Sequence, residues 1–66
     1  MPYQFPFMAR AYHGAEVALE LLGRGKREVV VDLRKDYREK FGIPARAVKL
    51  YIRTDEEPEW KEIPIP

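Results

Sequence analysis

Apolar and polar residues alternate strictly in two stretches of the chain. Tyr3, Phe5 and Phe7 fall on one side of an extended segment and Gln4, Pro6 and Met8 on the other, a period of two that predicts a strand. Pro2 and Pro6 lack the N–H that a ladder needs, so residues 1–12 are expected as an extended arm or an edge strand, outside an α+β core at 13–66. The second stretch is 47–53, where Val48, Leu50 and Ile52 oppose Lys49, Tyr51 and Arg53. It predicts a strand, then a turn at 55–58 and a returning strand over 59–65, together an antiparallel C-terminal hairpin.

Between these stretches the apolar spacing changes. Ala15, Ala18, Leu19 and Leu22 share a helical stripe that Val17 and Leu21 widen, which predicts a helix over 15–22 stopped by Gly23. On that helix Glu20 would pair with Arg24 one turn on. The β-branched run at 29–33 predicts a strand with Val29, Val31 and Leu33 inward and Asp32 outward. Asp32 then caps a short helix from about Leu33 to Phe41, with Tyr37 and Phe41 stacked four apart. Gly42 and Pro44 end it. The fold class is therefore α+β, one small domain: N-terminal arm or strand, helix, strand, short helix and C-terminal β-hairpin. No internal repeat is evident.

Length changes the picture next. A chain of 66 residues buries only about 60% of its unfolded surface, and natural domains of this size commonly add a disulfide, a metal or a partner. Cysteine is absent and His13 is the single histidine, so neither disulfides nor a thiolate or imidazole metal site is available, and no cofactor is expected. A homo-oligomer, most simply a dimer, is the expected source of stability, with Tyr3, Phe5, Phe7 and Trp60 at its interface. Scarce amide side chains, 35% charged residues and loop prolines fit a thermophile. Apolar runs are far short of the ~20 residues of a membrane span, so a soluble, cytoplasmic protein is expected.

Charge is uneven. Residues 23–53 hold ten Lys/Arg against four Asp/Glu, a net +6, whereas the tail from 54 carries −4 and residues 1–22 carry −1. A basic middle fits an anionic partner. Arg24, Lys26 and Arg27 sit on a glycine-flexed loop, and Arg34, Lys35 and Arg38 follow around the short helix; these six are the candidate nucleic-acid contacts. Enzymatic chemistry has little to draw on. Ser and Cys are absent, His13 has no nucleophile to activate, and Glu56, Glu57 and Glu59 read as a solvated turn. Gly23-x-Gly25 lacks the spacing of a phosphate loop, and so small a chain rarely encloses a substrate pocket.

Residues 32–43, DLRKDYREKFGI, resemble the "IP-kelReklGI" segment of AbrB/SpoVT-type swapped-hairpin transcription factors. Leu33, Lys35, Asp36 and Tyr37 fall on its pattern, as does the run Arg38-Glu39-Lys40-Phe41-Gly42-Ile43, while Arg34 stands where the family has proline. The resemblance covers about a third of the chain and implies an intertwined dimer that binds DNA through basic residues. The expected function is a non-enzymatic DNA- or RNA-binding module, such as a small transcriptional or antitoxin-like regulator. The alternative is a protein-interaction or structural subunit of a larger, for instance viral, assembly. Neither a membrane nor a small-molecule substrate is expected as a partner.

Overall fold

The computed structural model describes residues 4–66. Strand β1 (Phe7–His13) turns into β2 (Glu16–Gly23), the helix α1 (Lys26–Phe41) follows, and β3 (Ala47–Ile52) and β4 (Lys61–Ile63) complete one antiparallel sheet of order β2-β1-β3-β4. The class is α+β. The C-terminal hairpin forms as expected, with Leu50 paired to Ile63 and Ile52 to Lys61, but of the returning strand expected over 59–65 only 61–63 pair.

Three expectations about individual elements are overturned. Residues 7–12, expected as an arm or edge strand, form the interior strand β1, flanked by β2 and β3. Pro6 stops one residue short of it, so the missing N–H never enters the ladder, and its carbonyl accepts a hydrogen bond from the Arg53 N–H at 3.0 Å. The helix expected over 15–22 is β2. Gly14, at φ 63°, takes the first of two central turn positions between His13 and Glu16, as a type II′ hairpin requires. An isolated two-turn helix is marginal, whereas this turn delivers a full ladder. The register shift at Ala11/Tyr12 leaves Ala18 as an extra residue, so Ala18 and Leu19 both pack toward the core. That bulge is what disguised the strand's alternation. Glu20 accordingly pairs with Arg10 on the neighbouring strand, not with Arg24.

The strand expected at 29–33 and the short helix after it are one helix, α1. Val29, Val30, Leu33 and Tyr37 are its buried residues, a spacing of one, four and eight that only a helix brings to one side. Val31, expected inward, is 62% exposed. The weak helix propensity of three valines is outweighed by this continuous buried stripe. Gly25 caps the start, and Gly42, at φ 76°, donates its N–H to the Arg38 carbonyl at 2.8 Å at the end.

Leu33, Val29, Val30 and Tyr37 pack on Ala9, Ala11 and Leu50 of the central strands. The small side chains of Ala9 and Ala11 let the helix approach β1 closely. Gly23 does the same at the end of β2, where a Cβ would come within 2.9 Å of the Val29 side chain. α1 thus covers one face of the sheet; on the other, Met8 is buried, Arg10, Tyr12 and Tyr51 are half-buried and Lys49 is exposed.

Candidate nucleic-acid interface

Four of the six candidate contacts come together on one flank of α1. Arg27, Val31, Arg34 and Arg38 recur at steps of four, three and four, so they form one stripe, with Lys35 beside it. Arg27 and Arg34 line a recess of about 280 Å³ with Val31 and Ile65, and Arg34, Lys35 and Arg38 line one of about 270 Å³ with Pro44 and Ala45. The basic flank therefore faces the C-terminal half of the chain. Glu28, Asp32, Asp36 and Glu39 make a second stripe, and Glu28 and Asp32 border β2. All eight of these charged residues are exposed. The three ion pairs among the described residues, Arg10–Glu20, Lys49–Glu62 and Lys61–Glu57, all lie outside α1.

The other two candidates lie at the helix's N-terminal end. Lys26 is the first residue of α1, where the helix dipole disfavours a cation. Arg24 sits in the preceding loop with its guanidinium 5.5 Å from the Phe5 ring centroid. Of the expected interface residues, Tyr3 lies outside the described residues. Phe5 is 38% exposed, Phe7 is half-buried against the chain's own core, and Trp60 is half-buried beneath Arg53, 4.3 Å from its ring centroid.

The sheet face turned away from α1 carries a second group of residues. Phe7, Ala9 and Ala11 point toward the helix, so Arg10 and Tyr12 project from the other side of β1, as Lys49 and Tyr51 do from β3. Arg10 and Lys49 are direct cross-strand partners. Tyr12 and Tyr51 stand two residues beyond them in opposite directions, and their hydroxyls meet at 2.8 Å. The Arg10 guanidinium lies 5.5 Å from the Tyr51 ring centroid and the Lys49 ammonium 5.5 Å from that of Tyr12. Glu20 accepts from Arg10 Nε at 3.0 Å on one side, and Glu62 lies 3.8 Å from Lys49 Nζ on the other. The arrangement has a local two-fold character. Its signal was present in the chain: Ala9-Arg10-Ala11-Tyr12 and Val48-Lys49-Leu50-Tyr51 share the order apolar, basic, apolar, tyrosine. That four-residue repeat is too short to stand out before the two strands are known to pair.

The tyrosine pair is asymmetric. Burial, followed by its bond to Tyr12, pushes the Tyr51 phenol up from 10 to about 12. The Tyr51 hydroxyl, and then Arg10, pull Tyr12 below its ordinary value. In an alkaline titration followed by phenolate absorbance, Tyr12 is expected to ionise ahead of Tyr51, and Tyr51→Phe should move Tyr12 back up. The stability from neutral Tyr51 is complete below pH 10 and lost as pH rises through about 12. The contribution of Tyr12 has the opposite sign, complete above pH 10 and lost as pH falls through its lowered value. Coincident ionisation of both phenols near 10 would contradict the hydrogen-bonded pair.

Among the described residues no helix is long and apolar enough to cross a membrane, and no three His, Cys, Asp or Glu side chains are placed to hold a metal ion. Comparisons with protein-family models, with curated proteins and with solved structures find no match, so function is read from the geometry of these two surfaces.

Proposed function

We propose that this chain is a non-enzymatic nucleic-acid-binding module, of the kind a small transcriptional or antitoxin-like regulator employs, and that Arg27, Arg34, Lys35 and Arg38 meet the phosphate backbone. The observation that carries this is the sorting of charge around α1. A helix exposed only to water gains by placing opposite charges four residues apart. Here Glu28/Asp32, Asp32/Asp36 and Arg34/Arg38 are like-signed pairs at that spacing, against Lys35/Glu39 and Asp36/Lys40 of opposite sign, and each like-signed pair costs about 0.2–0.5 kcal/mol. What the molecule obtains in return is a field with a positive side.

The stripe from Arg27 to Arg38 runs roughly 16 Å along the helix axis, a length over which one strand of a duplex presents about five phosphates. Arg24 and Lys26 extend it at the N-terminal end. The segment that resembles AbrB/SpoVT-type factors falls in the second half of α1 and the loop beyond, which favours DNA as the first probe. A protein-interaction role draws instead on β2, an edge strand on which Val17 and Leu22 are 44% and 49% exposed.

Electrophoretic mobility of a labelled duplex tests the proposal. Four phosphate contacts should weaken binding about a hundredfold between roughly 50 and 200 mM salt. Duplex that migrates unchanged at the lower salt, or an affinity indifferent to salt, would remove nucleic acid as the ligand of this flank and leave protein assembly as the better account.

A further inference from the structure

The sheet face turned away from α1 breaks a packing rule at its centre. Like charges directly opposite one another on neighbouring strands are destabilising, yet Arg10 and Lys49 are register partners on the two interior strands. Each has a carboxylate on its outer side, Glu20 on β2 and Glu62 on β4. Glu20 is level with Arg10, whereas Glu62 is level with Tyr51 and reaches Lys49 diagonally, so the two cations lie between carboxylates, with the Tyr12 and Tyr51 hydroxyls meeting across their row.

Aromatic rings surround that centre. Tyr12 and Tyr51 flank the Arg10–Lys49 row from opposite directions, and Arg53 continues the line of β3 onto Trp60. Every one of these rings now has a cation near it: Lys49 on Tyr12, Arg10 on Tyr51 and Arg53 on Trp60. Lys49 on Tyr12 is the most exposed of these contacts, whereas Arg10 is also held by Glu20 and Arg53 has its Nε buried. An exposed cation–aromatic contact is weaker than a base stacked on an aromatic side chain. A cation displaced by a base also gains a phosphate. Both exchanges run in the same direction.

We infer that this sheet face binds single-stranded nucleic acid, with a backbone phosphate over Arg10 and Lys49 and bases stacked on Tyr12, Tyr51 and Trp60. A duplex cannot use the site, because its bases are already stacked on each other and offer no free faces. The helix behind the sheet keeps the platform rigid, with Ala9, Ala11 and Leu50 anchoring the inner side of the same strands. The site lies on the opposite side of the sheet from the basic flank of α1, and it stands or falls independently of that flank.

The test uses a labelled single-stranded oligonucleotide of about 20 pyrimidine nucleotides, as DNA and as RNA, since strands of this kind bind by stacking with little sequence readout. Its anisotropy is read together with the fluorescence of Trp60, the one tryptophan of the chain. Binding should quench Trp60. Arg10→Gln with Lys49→Gln should weaken it at least about tenfold at low salt, and an excess of blunt duplex should leave the quenching in place. Arg27→Glu, Arg34→Glu and Arg38→Glu together should weaken the quenching less than the paired glutamine variant does. Circular dichroism checks that the paired glutamine variant folds; if it does not, Lys49→Gln alone carries the test, since that side chain is 50% exposed, with the Glu62 carboxylate at 3.8 Å and the Tyr12 ring centroid at 5.5 Å. Oligonucleotide binding without quenching, or quenching lost on reversing the α1 arginines and kept by the glutamine variants, overturns the inference and leaves the flank as the nucleic-acid surface. No binding of either the DNA or the RNA strand overturns the inference and leaves the α1 flank to be decided with duplex. Quenching that appears on raising the protein concentration without nucleic acid assigns the face to a second copy of the chain and overturns the inference.

Discussion

Arg27→Glu, Arg34→Glu and Arg38→Glu together are expected to weaken duplex binding about a thousandfold at roughly 50 mM salt, because each phosphate contact contributes about a decade of affinity there through the counterion it releases. The dependence of affinity on salt should flatten by about three contacts' worth. The substitutions should cost the fold little. All three side chains are exposed, and the ion pairs among the described residues lie elsewhere. An unchanged thermal transition with lost mobility shift is the expected pair of results. Retained binding at low salt would move the contact surface off α1.

The second large effect is on stability. Leu33→Ala should remove a large share of the chain's stability at 25 °C and bring its melt well below that of the parent. Leu33 is 0% exposed and sits among Val29, Val30, Ala9, Ala11 and Leu50. Leucine-to-alanine changes in cores cost about 2–5 kcal/mol, the upper part of that range where the neighbours cannot close the cavity. Ala9 and Ala11 have no side chain to swing into the space. A domain of this length has about 3–10 kcal/mol in total, so one cavity removes a large share of it. Val31→Ala, two residues earlier and 62% exposed, should shift stability by no more than about 0.5 kcal/mol. A cooperative melt for Leu33→Ala close to that of the parent would mean that α1 is not anchored through this residue.

The legible parts of the fold were those in which a single period ran uninterrupted. Val48, Leu50 and Ile52 alternate with nothing between to confuse them, and β3 with its returning partner lies where that alternation places it. Gly42 and Pro44 mark the end of α1 correctly, because left-handed backbone and a missing N–H are local facts. Two elements were illegible for physical reasons. Valines at 29–31 have strand propensity, and only burial of Val29 and Val30 with Leu33 and Tyr37 reveals the helix. In β2 the extra residue at Ala18 shifts the alternation by one, so an interrupted period of two imitates a period of 3.6.

The basic residues of α1 were visible as a cluster, but their separation from the acidic ones was not. It becomes apparent only when residues 26–41 are one continuous helix, since a break at Leu33 divides Arg27 from Arg34. The sheet-face group was harder still. Arg10 and Lys49 are 39 positions apart in the chain, and only the pairing of β1 with β3 makes them neighbours.

The helix packs mainly on β1 and β2 and barely reaches β3, while β4 is three residues long. Protection of backbone amides against exchange with solvent should therefore fall steeply from β1 toward β4, and the last strand should peel away in fluctuations too small to melt the rest. Each such fraying event carries Glu62 off Lys49. The electrostatic character of the central row would then alternate between neutral and cationic on the timescale of that motion, with the short terminal strand acting as its own reversible counterion.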